Sequence, residues 1–147
     1  MRWYKRGAIA ALVAIVTAFG GYAMNTTAHA QASSDFGPGL VTINVGIRYS
    51  KFSISTLHVR EGTVVRFLVH NADPIHHEFI VGDASVHLRH ELGTEATHPP
   101  VPGEVSIAPE DVGETFYDFD TAGKFLFACH LPGHFAYGMK GWVIVDG

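Results

Sequence analysis

Cys129 is the only cysteine in this chain, and it opens the run Cys129-His130-Leu131-Pro132-Gly133-His134-Phe135-Ala136-Tyr137-Gly138-Met139. A thiol, an imidazole and a thioether thus follow one another with four residues between each pair. These are soft donors, the set that suits a copper ion held by a trigonal base with a weak axial sulfur. Pro132-Gly133 forces a turn, so Cys129 and His134 can converge from the two sides of one loop. Gly138 then frees the backbone to swing Met139 toward the same point. A fourth ligand must come from elsewhere, and Asp73-Pro74-Ile75-His76-His77-Glu78-Phe79 offers two adjacent histidines at the start of an apolar stretch.

Taken singly, Cys129 reads as a buried small hydrophobe and Met139 as core filler. The joint spacing changes that reading, and so does the head of the chain. Arg2, Lys5 and Arg6 precede an apolar stretch from Gly7 to Phe19, and Ala28-His29-Ala30 has the small-x-small form of a cleavage site. Residues 1–30 therefore read as a secretory signal peptide, with an uncleaved membrane anchor as the alternative. A lone thiol in an oxidising compartment has no intrachain disulfide partner and needs a chemical role. The expected location is the periplasm or the extracytoplasmic face of the cell envelope, with membrane contact only if the leader is retained.

The full chain carries 10 Lys and Arg against 14 Asp and Glu, and loss of the three basic leader residues leaves 7 against 14, a net charge of −7 with histidines neutral. No run of basic residues remains, which argues against nucleic acid as a partner. Residues 31–38 are small and turn-prone and read as a short linker. Residues 39–147 are enough for one domain with its own core, expected to act as a monomer.

Within that domain the dominant period is two. Val41, Ile43, Val45 and Ile47 alternate with polar residues or glycine, as in a half-buried strand. Thr63 to Val69 is a second strand, bounded by Glu61-Gly62 and by Asn71-Ala72-Asp73-Pro74. Further strands are expected at 77–81, 104–107, 115–119, 124–129 and 141–145. Short strands divided by Gly and Pro turns predict an all-β, antiparallel sandwich. The one segment that reads as helix is Ala84 to Leu92, at the start of an insertion running to about Gly103.

On the Cys129 to Met139 loop and the upstream histidine, the chain resembles the cupredoxins, the small blue copper proteins, over essentially the whole mature domain. The loop is most similar to that of the rusticyanin, auracyanin and sulfocyanin group. The resemblance implies a Greek-key β-sandwich with one type 1 copper near one end, ligated by His77, Cys129, His134 and Met139. His77 is preferred over His76 because the family's ligand leads directly into the apolar strand. Many cupredoxins have Asn or Ser after this histidine, bonding across to the Cys-bearing strand, and this chain has Glu78. By the two-residue alternation His130 points away from Cys129 and is not expected to bind copper.

Multicopper oxidases and copper nitrite reductases resemble this loop but need a histidine just before the Cys, where this chain has Ala128. Four protein ligands also leave no open position for a substrate, so catalysis is not expected. The expected function is one-electron transfer, with redox proteins docking on an apolar patch of Leu131, Pro132, Phe135, Ala136 and Tyr137 around His134. The alternative is copper buffering or delivery, motivated by the insertion. There the helical spacing places His87, His90 and Glu91 on one face, with His98 nearby; a single tight copper per chain is expected, and a second metal held by His87, His90 and His98 is the alternative.

Overall fold

The computed structural model describes residues 37–93 and 97–147. The expected leader, and the linker up to residue 36, lie outside the described residues. No helix among those described is long and apolar enough to cross a membrane.

In chain order the elements are β1 (Gly39–Ile47), β2 (Thr56–Arg60), β3 (Thr63–Asn71), β4 (His77–Gly82), α1 (Ala84–Leu92), β5 (Glu104–Ile107), β6 (Val112–Phe119), β7 (Gly123–Ala128) and β8 (Lys140–Asp146). They form a sandwich of two sheets with orders β1-β3-β6 and β2-β8-β7-β4-β5. Both sheets are mixed, which corrects the expectation of antiparallel pairing throughout. β1 runs parallel to β3 and β2 parallel to β8, while the other neighbours are antiparallel. The cause is the path of β2. It crosses to the second sheet between β1 and β3, so the chain re-enters the first sheet in its original direction instead of folding back as a hairpin. β2 is also the one strand missing from the sequence-based set. Its five residues bring only Leu57 and Val59 to the core, too few for a clear period.

The period-two segments behave as their sequences require. Val45 and Ile47 of β1, Val65, Phe67 and Val69 of β3, Phe119 of β6, Phe127 of β7 and Val143 of β8 are all buried in one cluster between the sheets. The Phe79 ring packs on those of Phe67 and Phe127, with centroids 4.8 and 5.4 Å apart. Each such side chain stabilises the fold by about 1.5–3 kcal/mol relative to an exposed one.

β4 departs from the alternation: all six of its residues are buried. It lies between β7 and β5, with the sandwich core against one face and α1 against the other. Asp83 caps α1, its carboxylate accepting the N–H groups of Ser85 and Val86 at 2.8 and 3.1 Å. The helix approaches so closely that a Cβ on Gly82 would lie 3.0 Å from the Val86 side chain. His77, Phe79 and Val81 therefore face the core side, and Glu78, Ile80 and Gly82 lie under the helix. One strand thus presents chemistry on two opposite faces.

Candidate metal centre

His77 begins β4 and is 1% exposed, whereas His76 is on the surface. Its Nε2 donates to Asp73 Oδ2 at 3.0 Å, and its buried Nδ1 has no hydrogen-bond partner among the described residues. Asp73 also accepts the Tyr49 and Ser50 N–H groups at 2.7 and 2.8 Å. Those two residues adopt left-handed conformations, with φ of 55° and 51°, held by that carboxylate. Burial pushes the Asp73 carboxyl upward, but the Ser50, Tyr49 and His77 donors outweigh it and hold it below its ordinary value. Burial dominates at His77 and lowers its pKa, keeping the ring neutral. A neutral ring with Nε2–H committed to a carboxylate has its lone pair on Nδ1, the arrangement of a metal-ligating histidine.

The other donors come from the loop between β7 and β8. Cys129 lies one residue past β7, and its N–H donates to the Met139 carbonyl at 3.1 Å. The Met139 N–H donates in turn to the His134 carbonyl at 3.1 Å, and the His134 N–H to the Leu131 carbonyl at 3.0 Å. Gly133 and Gly138 make this winding possible with φ of 84° and 86°, in the region that favours glycine. The loop thereby sets His134 Nδ1 3.2 Å from Cys129 Sγ. The rings of His77 and His134 are 4.8 Å apart, and one donor atom each from His77, Cys129 and His134 lies within 4.8 Å of the others. Cys129 and Met139 are both fully buried. Burial pushes the Cys129 thiol up to about 11, so without metal it stays protonated at neutral pH.

The donor set fits copper. The unpartnered His77 Nδ1 in a dry site asks for a Lewis acid, and the neighbouring thiol, imidazole and thioether are soft enough to select copper over harder ions.

Two contributors escaped the sequence reading. Asp73 was legible only as a turn residue, although its place four residues before His77 is a usable signal. Glu78, flagged as a departure, performs the cross-strand bond itself: its Oε1 accepts the His130 N–H at 2.6 Å. His130 faces away from Cys129, as the alternation predicts, with its ring stacked on Phe135. Burial, followed by the nearby His87 and His90, lowers its pKa to about 4. His58 and His70 pair with Asp146 and Asn44, away from the loop. The insertion corrects one expectation. His87 does not share a site with His90 and His98; it turns to the Leu126 carbonyl at 3.0 Å and to His130 at 2.9 Å, and Glu91 is exposed.

Comparison with known proteins agrees with this geometry. Residues 40–146 match the family described as copper binding proteins, plastocyanin/azurin family. The copper-resistant cuproprotein CopI of Rubrivivax gelatinosus is 38% identical over 98 residues, which are 65% of this chain and 59% of that relative. The chain thus spans about three fifths of that protein's length. CopI of Pseudomonas aeruginosa is 26% identical across 93% of this chain and 95% of its own. Among solved structures, reduced auracyanin of the photosynthetic bacterium Roseiflexus castenholzii superposes with a TM-score of 0.60 at 18% identity, covering 79% of this chain and 99% of that one. Matching sequence pattern, sandwich and soft-donor cluster converge on one conclusion: this chain belongs to the plastocyanin/azurin family of cupredoxins.

Proposed function

We propose that this protein binds one copper ion through His77, Cys129, His134 and Met139 and serves copper tolerance outside the cytoplasm, buffering or passing on the metal. The observation that carries this reading is the likeness to copper-resistant cuproproteins, which in one relative extends over nearly the whole chain. The likeness to auracyanin speaks only for the fold, and so gives electron transfer less support.

Bound copper supplies a one-electron couple between Cu(I) and Cu(II). The protein's own residues do the rest. Asp73 keeps the His77 ring oriented, while burial keeps that ring neutral and shields the Cys129 thiol until loading displaces its proton. His134 is partly exposed where Cys129 and Met139 are not, which makes its side of the loop the route by which copper or an electron enters.

Electron transfer remains the second reading, favoured by one feature: Tyr137, three residues after His134 on the same loop, is 77% exposed and offers an apolar contact for a redox partner. The test is genetic and chemical together. Loss of the protein should sensitise its host to copper, and Cys129→Ser should fail to restore tolerance while bleaching the intense colour of the Cu(II) form. Full tolerance with Cys129→Ser, or copper transfer to an acceptor far slower than electron self-exchange, would return electron transfer to first place.

A further inference from the structure

On the helix-covered face of β4, three side chains repeat the logic of the copper-thiolate centre with harder donors. Glu78 is 2% exposed, with Oε1 committed to the His130 N–H. Its Oε2 lies 3.8 Å from His90 Nδ1, beyond hydrogen-bond reach. The other nitrogen of His90, Nε2, is 2.8 Å from Glu104 Oε2. His98 comes from the far end of the insertion. Its Nδ1 lies 3.0 Å from the Pro99 carbonyl, which can only accept, so the proton sits on Nδ1. Nε2, carrying the lone pair, is buried without a hydrogen-bond partner among the described residues. One donor atom from each of Glu78, His90 and His98 lies within 4.8 Å of the others.

We propose that Glu78, His90 and His98 form a second metal site, for a divalent first-row ion, with Cu(II) bound more tightly than Zn(II). Two imidazoles and a carboxylate are borderline to hard ligands, and on such a set the affinity order places Cu(II) above Zn(II). Ligand bonds of about 2.0–2.2 Å would draw the three donors together by a modest side-chain movement. Glu104 stands to His90 as Asp73 stands to His77, a carboxylate that orients the ring. An open cleft of about 600 Å³, lined by His90, His98, Val101 and Glu104 among others, gives the ion access and leaves room for water to complete its coordination. The site stands on its own donors, whichever role the copper-thiolate centre plays.

The competing account is purely structural: His90 bridges two acidic side chains and the pocket takes no metal. Titration of the full-length protein separates the two. The type 1 centre is first filled with one equivalent of Cu(II), and further Cu(II) is added while the visible and magnetic resonance spectra are recorded. The native protein should take up a further equivalent with a tetragonal signal and no new intense colour. In a His90→Gln, His98→Gln double variant the first-site colour should persist, while affinity for that further equivalent falls more than about 100-fold, beyond the loss typical of removing an outer partner. Copper held elsewhere in the chain is common to both proteins and cancels in the comparison. Should the double variant fail to colour, His98→Gln alone carries the test, since His98 lies outside helix and strand. Equal uptake by native protein and variant, or no further uptake by the native protein, overturns the proposal.

Discussion

Two histidine-centred clusters sit back to back on β4, and they differ in how their donors are assembled. On the core side, His77 meets Cys129, His134 and Met139, three residues of one loop locked by hydrogen bonds among their own backbone groups. On the helix side, Glu78 meets His90 from α1 and His98 from beyond it, with Glu104 of β5 holding the His90 ring. The first cluster contains sulfur and is dry. The second contains only nitrogen and oxygen and opens on a cleft. Adjacent residues of a strand point to opposite faces, so a single step in sequence from His77 to Glu78 separates two kinds of metal chemistry. The clusters still share covalent and hydrogen-bonded links, because Glu78 follows one candidate ligand and accepts from the N–H next to another.

Breaking the core-side support should have the largest effect. Asp73→Asn removes the charge that His77 and two left-handed N–H groups rely on. Copper affinity at the thiolate centre should fall about 10–100-fold, and the metal-free protein should lose about 1–3 kcal/mol in urea unfolding as buried hydrogen bonds to the carboxylate weaken. Uptake of the further Cu(II) equivalent should be unaffected. An equal loss at both clusters would mean that they are one unit.

A pH series sharpens the contrast in dryness. Burial raises the Cys129 thiol from 9.0 to about 11, so the folded state favours the protonated form. That preference stabilises the metal-free protein fully below about pH 9 and is lost as pH climbs toward about 11, a change of about 2–3 kcal/mol. The urea midpoint of the metal-free protein should therefore drop across that window. Cys129→Ser should lack this component of the fall, and identical curves for the two proteins would show that the thiol is not held in a dry site.

The smallest effect on the thiolate centre is expected from Glu78→Gln. The amide oxygen can still accept the His130 N–H, so the colour should persist, whereas the neutral side chain should no longer hold the further Cu(II). Simultaneous loss of colour would show that the Glu78 carboxylate itself supports the core-side centre.

Much of the core-side cluster was legible because its information is local. Cys129, His134 and Met139 lie within eleven residues, and Pro132, Gly133 and Gly138 announce the turns that bring them together. The strands with sustained alternation, such as Val41 to Ile47 and Thr63 to Val69, were legible for the same reason: burial of one face imprints a period of two. The bounds of α1 also agree with the sequence reading. What stayed hidden was non-local. The parallel pairing of β1 with β3 depends on a crossover through the other sheet, and no period records which neighbour a strand will find. Helical spacing grouped His87 with His90, but α1 lies against β4 so that His87 is drawn to a β7 carbonyl and only His90 reaches Glu78. The soft-donor spacing and the strand periods were thus determined by the sequence alone, since they follow from side-chain type and short-range backbone geometry. Tyr49 and Ser50 reaching the Asp73 carboxylate, and Glu78 facing His90 and His98, were decided only by tertiary packing, which alone sets the distance between groups from separate elements.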